Sequence, residues 1–197
     1  MKVFWSGKRK KRSQLGFTLV ELMIAIAISA VLMVGSAQIL GHMVVTTAQN
    51  RASTMAMLQV QYVGFWVTED VVQARPDGVL FGTTNLEGAE PGELYRLDTY
   101  PLIIDWKEWY GTVHHTEYSL AQDPNDSSIW ILMRKSVSTP ADPGRDGTVM
   151  VGEYLDHENT VYSKMEGNGT AVLKLDVTAK VDGKVASRTY GINPRSK

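Results

Sequence analysis

Residues 16–40 read GFTLVELMIAIAISAVLMVGSAQIL, with a single charged side chain, Glu21, and otherwise only small or hydroxylated polar residues besides Gln38. From Phe17 to Leu40 the run would extend about 36 Å at a helical rise of about 1.5 Å per residue, enough to cross a hydrocarbon core of about 30 Å. Lys8, Arg9, Lys10, Lys11 and Arg12 stand directly before it. Basic residues flanking a span favour its cytoplasmic side, so the expected topology starts in the cytoplasm and places everything beyond Leu40 outside. A secretory signal also opens on positive charge, but its apolar region is about 7–15 residues and is followed by the cleavage site. This run is longer.

The signal for a cut stands before the run instead. Gly16-Phe17-Thr18-Leu19-Val20-Glu21-Leu22, after a short basic leader, resembles the prepilin-peptidase recognition motif of type IV pilins and type II secretion pseudopilins. The resemblance implies cleavage after Gly16 by a membrane-embedded aspartic peptidase and N-methylation of the new first residue, Phe17. Glycine suits the position before the cut because it lets a peptidase approach the backbone closely. Glu21 invites a separate argument, because a carboxylate near the end of a membrane helix is costly and is a functional candidate by default. No Lys or Arg lies nearby in the apolar run, and the resemblance implies the α-amino group of Phe17 on a neighbouring subunit as its partner. Two plainer readings stand beside this: a hydrated Glu21 without a role, and a simple single-span anchor with a chance Gly-Phe.

Charge is distributed unevenly over the 197 residues. The formal net charge is −1, but the first sixteen residues hold six basic side chains and no acid, leaving 14 basic against 21 acidic beyond them, a net of −7. An acidic remainder argues against a nucleic-acid binder, and the basic block is read as a topological signal. The absence of cysteine excludes thiol catalysis, cysteine-based zinc sites and disulfide stapling.

No proline occurs between Val3 and Arg75, and Pro76-Asp77-Gly78 reads as a helix stop. A helix is therefore expected from about Phe17 to Ala74, with bends plausible at Gly35, Ser36, Gly41 and Gly64. Beyond Leu40 the residues Met43, Val44, Met55, Leu58, Tyr62, Phe65, Trp66 and Val72 fall three, four or seven apart, and this apolar face is expected to pack on the following domain. His42 reads as an interfacial or solvated imidazole. Residues 82–92, GTTNLEGAEPG, read as a loop before the sheet, and residues 94–105 as the first strand region, broken at Pro101. Val113–Leu120 and Ile129–Arg134 suggest a hairpin around Asp123-Pro124-Asn125-Asp126. The alternation of Leu173, Leu175, Val177, Ala179 and Val181 with polar neighbours predicts a half-buried strand, turned at Asp182-Gly183 and returning over 184–192.

The expected organisation is a cleaved leader (1–16), a transmembrane and assembly helix (17–40), its amphipathic continuation (41–75) and an extracytoplasmic β-rich domain (76–197). This is an α+β fold in which a long N-terminal helix packs on a mainly antiparallel sheet, as in pilins. Within the family, Thr68–Ala74, Tyr118-Ser119-Leu120 with Leu132-Met133-Arg134, and Gly191–Arg195 are similar to segments of J-type minor pseudopilins of type II secretion. That likeness implies a structural subunit of a pseudopilus tip or priming complex. A minor pilin for adhesion, motility or DNA uptake, a major pilin, and a filament-tip adhesin remain as alternatives. The implied partners are the prepilin peptidase, other minor and major pilins or pseudopilins through the N-terminal helix, and the inner membrane, with no direct nucleic-acid partner and no cofactor.

Residues 139–148, TPADPGRDGT, read as an exposed loop whose Asp142 and Asp146 serve either as turn residues or as calcium ligands, although the spacing does not match a twelve-residue calcium loop. The cluster Trp106-Lys107-Glu108-Trp109-Tyr110 is either a binding patch or half-buried strand packing. Enzymatic activity is not expected: His42, His114, His115 and His157 fall in no hydrolase or metalloprotease motif, no phosphate-binding glycine loop is present, and adjacent His114 and His115 would point to opposite faces of a strand.

Overall fold

The structure, a computed structural model, describes residues 17–167 and 170–195. The expected leader, residues 1–16 with Gly16 at the expected cleavage site, lies outside the described residues. The chain divides into two units, the first ending at Thr47 and the second running Ala48–Lys197.

Helix α1 (Leu19–Val71) belongs to both. It is uninterrupted by proline, and it winds down through the bonds Gln73 N–H to Asp70 O (3.2 Å) and Ala74 N–H to Val71 O (3.1 Å) before Pro76 opens a single 3₁₀ turn, Pro76–Gly78. Ten strands follow: β1 (Val79–Phe81), β2 (Thr84–Asn85), β3 (Tyr95–Arg96), β4 (Leu102–Lys107), β5 (Val113–Gln122), β6 (Trp130–Thr139), β7 (Gly147–Gly152), β8 (Val161–Gly167), β9 (Thr170–Val181) and β10 (Lys184–Ile192). They form a six-stranded sheet ordered β2-β1-β4-β5-β6-β7 and a four-stranded sheet ordered β10-β9-β8-β3. The named strands pair antiparallel throughout. The fold is thus α+β, a long N-terminal helix packed through its later turns on antiparallel sheets.

Several strands follow directly from local chemistry. β5 and β6 pair across the Asp123–Asp126 turn, as expected, and β6 continues to Thr139. β9 buries Leu173, Leu175, Val177, Ala179 and Val181 as its alternation requires. The turn to β10 has positive φ at both Asp182 (46°) and Gly183 (77°), the backbone of a primed two-residue turn whose twist matches its strands. The first strand comes earlier than expected, at Val79, and β2 lies within the stretch read as a loop. Pro101 does not bend one strand. It falls between β3 and β4, which belong to different sheets.

The helix buries the opposite face from the one its large apolar residues suggested. Ala52, Ala56, Val60, Val63, Gly64, Val67 and Val71 lie inward, whereas Met43, Val44, Met55, Leu58, Tyr62, Phe65 and Val72 are exposed and Trp66 is half-buried. The reason is close approach. An added Cβ at Gly152 of β7 would lie 2.5 Å from Val63, and one at Gly64 would lie 2.0 Å from the Tyr190 ring of β10. Both sheets come so near the helix that only small and β-branched residues fit, and Gly64 serves this contact rather than a bend. Tyr190 also donates its hydroxyl to Val60 O at 2.9 Å, and Glu153 N–H donates to Gln59 Oε1 at 3.0 Å. Each fully buried valine on this face is worth about 1.5–3 kcal/mol, so a narrow inner face can hold the helix while its bulky residues stay outside.

Candidate functional site

The start of α1 is closed by its own sequence. Glu21 Oε2 accepts from the Thr18 backbone N–H and from Thr18 Oγ1, both at 2.9 Å, while Thr18 Oγ1 accepts from the Glu21 N–H at 3.3 Å. Thr18-Leu19-Val20-Glu21 is a capping box, satisfying orphan donors at a helix start. The spacing Thr-x-x-Glu is readable in the sequence, and it gives Glu21 an intrahelical role that neither the intermolecular reading nor the hydrated one includes. The cap fixes the Glu21 carboxylate four residues beyond Phe17, whose side chain is exposed.

From Leu19 to Thr47 every residue is exposed except Gly35, which is intermediate. Ser29 and Ser36 donate their hydroxyls to Ala25 O (2.7 Å) and Leu32 O (2.8 Å), so these two polar side chains are satisfied within the helix. Among the described residues this is the one helix long and apolar enough to cross a membrane.

The second unit has an apolar surface of its own along its part of the helix. Met55, Leu58, Tyr62, Phe65 and Val72 follow one another at intervals of three, four, three and seven residues, and all are exposed. An alternating three-four spacing is the seam a second helix can fill by knobs-into-holes packing. Thr54, Gln61 and Thr68 border it, and the exposed Glu69 stands on it between Phe65 and Val72.

Behind that seam the helix is clamped to the six-stranded sheet. Arg134 of β6 donates from Nε to Asp70 Oδ2 at 2.8 Å and from Nη2 to Oδ1 at 2.9 Å, and the Tyr118 hydroxyl of β5 donates to the same carboxylate. The guanidinium lies 5.2 Å from the Trp66 ring centroid. Burial, reinforced by the negative charge of Asp70, pushes the Tyr118 pKa well up, and the hydrogen bonds to Asp70 hold the Arg134 proton more tightly still. The end of α1, β5 and β6 therefore meet at one triad, with Asp70 and Tyr118 buried and Arg134 part-buried.

The remaining candidates separate. In the loop after β6, Asp146 accepts from Ser138 Oγ (2.7 Å) and from the Asp142 N–H (3.0 Å), and the Ser138 bond, first among its causes, holds the Asp146 carboxyl below the usual range. Asp142 Oδ1 accepts from the Gly144 N–H at 2.9 Å. Both carboxylates thus close the loop on itself. Among the described residues no cluster of three or more His, Cys, Asp or Glu is placed to hold a metal. His114 is buried and stacked on Trp106, with centroids 3.8 Å apart, while His115 is exposed and pairs with Asp105 at 2.7 Å. The two histidines point to opposite faces, as expected. The Trp106–Tyr110 cluster divides: Trp106 packs in the sheet, and Trp109 and Tyr110 stand out in solvent.

Residues 11–37 match the model of the prokaryotic N-terminal methylation motif. No curated protein and no solved structure matches the chain. The motif supports a type IV pilin-like character for the N-terminal segment and implies processing by a prepilin peptidase and assembly with pilins. It does not extend into the β-rich unit.

Proposed function

We propose that this chain is a structural subunit of an extracytoplasmic filament of the type IV pilin and pseudopilin kind, and not a catalyst. It is made as a precursor with a leader ending at Gly16, anchored by the helix from Phe17 with its start in the cytoplasm, and trimmed, methylated at Phe17 and drawn into a filament. The observation that carries this reading is an apolar helix, preceded by a methylation motif, whose residues 19–47 are left almost wholly uncovered by the rest of the chain. In the membrane lipid covers that surface, and in a filament other helices do. The exposed seam from Met55 to Val72 extends the same need beyond the bilayer.

Glu21 acts at the assembly step. Its charge lies close to the chain start created by cleavage, and the free amine of Phe17 on a neighbouring subunit would neutralise it in a low-dielectric layer, fixing axial register. The finer assignment is to a minor, J-type subunit of a type II secretion pseudopilus, supported by the likeness around the Asp70, Tyr118 and Arg134 segments. A minor pilin or tip adhesin of a type IV pilus is the second reading, favoured by the uncovered Trp109 and Tyr110.

Photo-crosslinking residues placed at Leu58 or Phe65 in native membranes test the assembly reading. Adducts with co-produced filament subunits are expected there, and none from Asn125 in the exposed β5–β6 turn. A chain that crosslinks to no subunit from either seam position would refute it.

A further inference from the structure

We propose that the concavity beside the β4–β5 turn is a binding site for an acidic saccharide. The concavity has a volume of about 600 Å³ and lies between the end of α1, the 3₁₀ turn and the β4–β5 connection, within the range of about 300–1,000 Å³ usual for small-molecule sites. Trp106 lines its wall, and its Nε1 is buried with no hydrogen-bond partner. Trp109 borders both this concavity and a neighbouring one of about 690 Å³ that reaches Tyr110 and Arg145.

The two tryptophans differ in what the fold does with them. Trp106 is stacked on His114 and has the Arg145 guanidinium 5.8 Å from its ring centroid. Trp109 is 94% exposed and Tyr110 93% exposed, and neither side chain takes part in a ring contact or hydrogen bond among the described residues. The turn carrying them is nonetheless defined, by Glu108 N–H to Thr112 O at 2.9 Å and Gly111 N–H to Glu108 O at 3.0 Å, with Gly111 at a φ of 99° that favours glycine. An ordered turn that holds an indole in water presents a stacking platform. The negative face of an aromatic ring suits the C–H face of a sugar ring.

Charge around the platform specifies the rest. Glu108 is paired with Arg145 at 3.0 Å and Asp105 with His115 at 2.7 Å. Arg75, Lys107 and Arg195, which also line the concavity, enter no ion pair among the described residues, and Asp77 is the remaining unpaired carboxylate. Over the two concavities together the lining carries four cations (Arg75, Lys107, Arg145 and Arg195) against three carboxylates (Asp77, Asp105 and Glu108), a net of +1 in a domain whose sequence beyond residue 16 carries a net of −7. A ring bearing one carboxylate matches it: guanidinium groups take the carboxylate, while Asp77 and Gln73 meet hydroxyls. A polyphosphate chain fits less well, since each further nucleotide adds negative charge against Asp77 and an acidic domain. This site is independent of the assembly surface on α1.

The full-length chain in detergent micelles can be titrated with digalacturonate and with its neutral counterpart, galactobiose, by calorimetry and by acrylamide quenching of tryptophan emission. Digalacturonate is expected to bind, to shield the exposed Trp109 from acrylamide, and to bind at least about ten-fold more tightly than galactobiose. Trp109→Ala and Lys107→Ala, both at exposed positions, should each weaken binding about ten-fold or more while leaving the thermal midpoint unchanged. The proposal is overturned if neither sugar binds at about 10 mM, if both bind equally, if Trp109→Ala binds as the wild type does, or if single-stranded oligothymidylate occupies the site in preference to digalacturonate.

Discussion

Replacing Asp70 by alanine removes the acceptor shared by Arg134 and Tyr118. Arg134 retains only 13% side-chain exposure and Asp70 only 4%, so neither charge is relaxed by bulk water. Breaking a buried pair costs about 3–5 kcal/mol, because it strands the surviving charge. The low end applies, since Arg134 keeps its contact with the Trp66 ring, and the expected loss is about 3 kcal/mol. For a folded unit of this size each kcal/mol moves the midpoint by about 2–4 °C, so the midpoint should fall by about 6–12 °C. Tyr118→Phe loses only one hydrogen bond to a charged acceptor, about 1.5 kcal/mol. Asp70→Leu combined with Arg134→Met removes both charges and should lose less than Asp70→Ala alone. Thermal and urea unfolding of the full-length chain in detergent, followed by near-UV circular dichroism, measures all of these. An Asp70→Ala protein within about 0.5 kcal/mol of wild type, or a double variant whose losses simply add, would refute the clamp.

Gly152→Ala drives a Cβ to 2.5 Å from Val63 and 3.2 Å from Leu155, and urea unfolding should show a loss of about 1–3 kcal/mol from overpacking; an unchanged midpoint would mean the helix does not sit so close to β7. Alkaline pH acts through Tyr118 and Tyr162, whose pKa values are raised, chiefly by burial. Their folded pKa lies above the unfolded value of about 10, so their contribution is complete below about pH 10 and is lost as the pH climbs through the folded values. The midpoint should therefore hold to about pH 9 and then fall, less steeply in Tyr162→Phe, and a fall complete by about pH 8 contradicts this. Glu21→Gln keeps an oxygen for the Thr18 cap but loses the charge, so membrane anchoring should persist while the chain disappears from sheared filament fractions; normal incorporation contradicts the role given to Glu21.

What could be read in advance followed the range of the forces involved. The anchor helix, the β5–β6 hairpin and the β9–β10 hairpin are local: an apolar run, two turn-former clusters and a period-two alternation specify each without knowledge of the rest. The face of α1 was not legible, because burial there is decided by Gly152 and Tyr190, more than eighty residues away in sequence, which come too close for Met55 or Phe65 to lie inward. Size alone therefore misled, since the large apolar residues belong to the outer seam and the small ones to the core. The strands at Val79 and Thr84 are three and two residues long, below what periodicity can resolve, and exist because β4 supplies a template for β1 and β1 in turn for β2. At the chain start, Gly16, Phe17 and Glu21 were visible as a motif, and the capping role of Glu21 was equally local. The net positive lining near Trp109 was not legible, because it joins the helix end, a turn and the C-terminal Arg195.

The account depends most on where the mature chain begins. Top-down mass spectrometry of the protein extracted from its native membrane should show a chain starting at Phe17, one methyl group heavier at its amino terminus. A chain that still carries residues 1–16, or one that begins beyond Leu40, would contradict it.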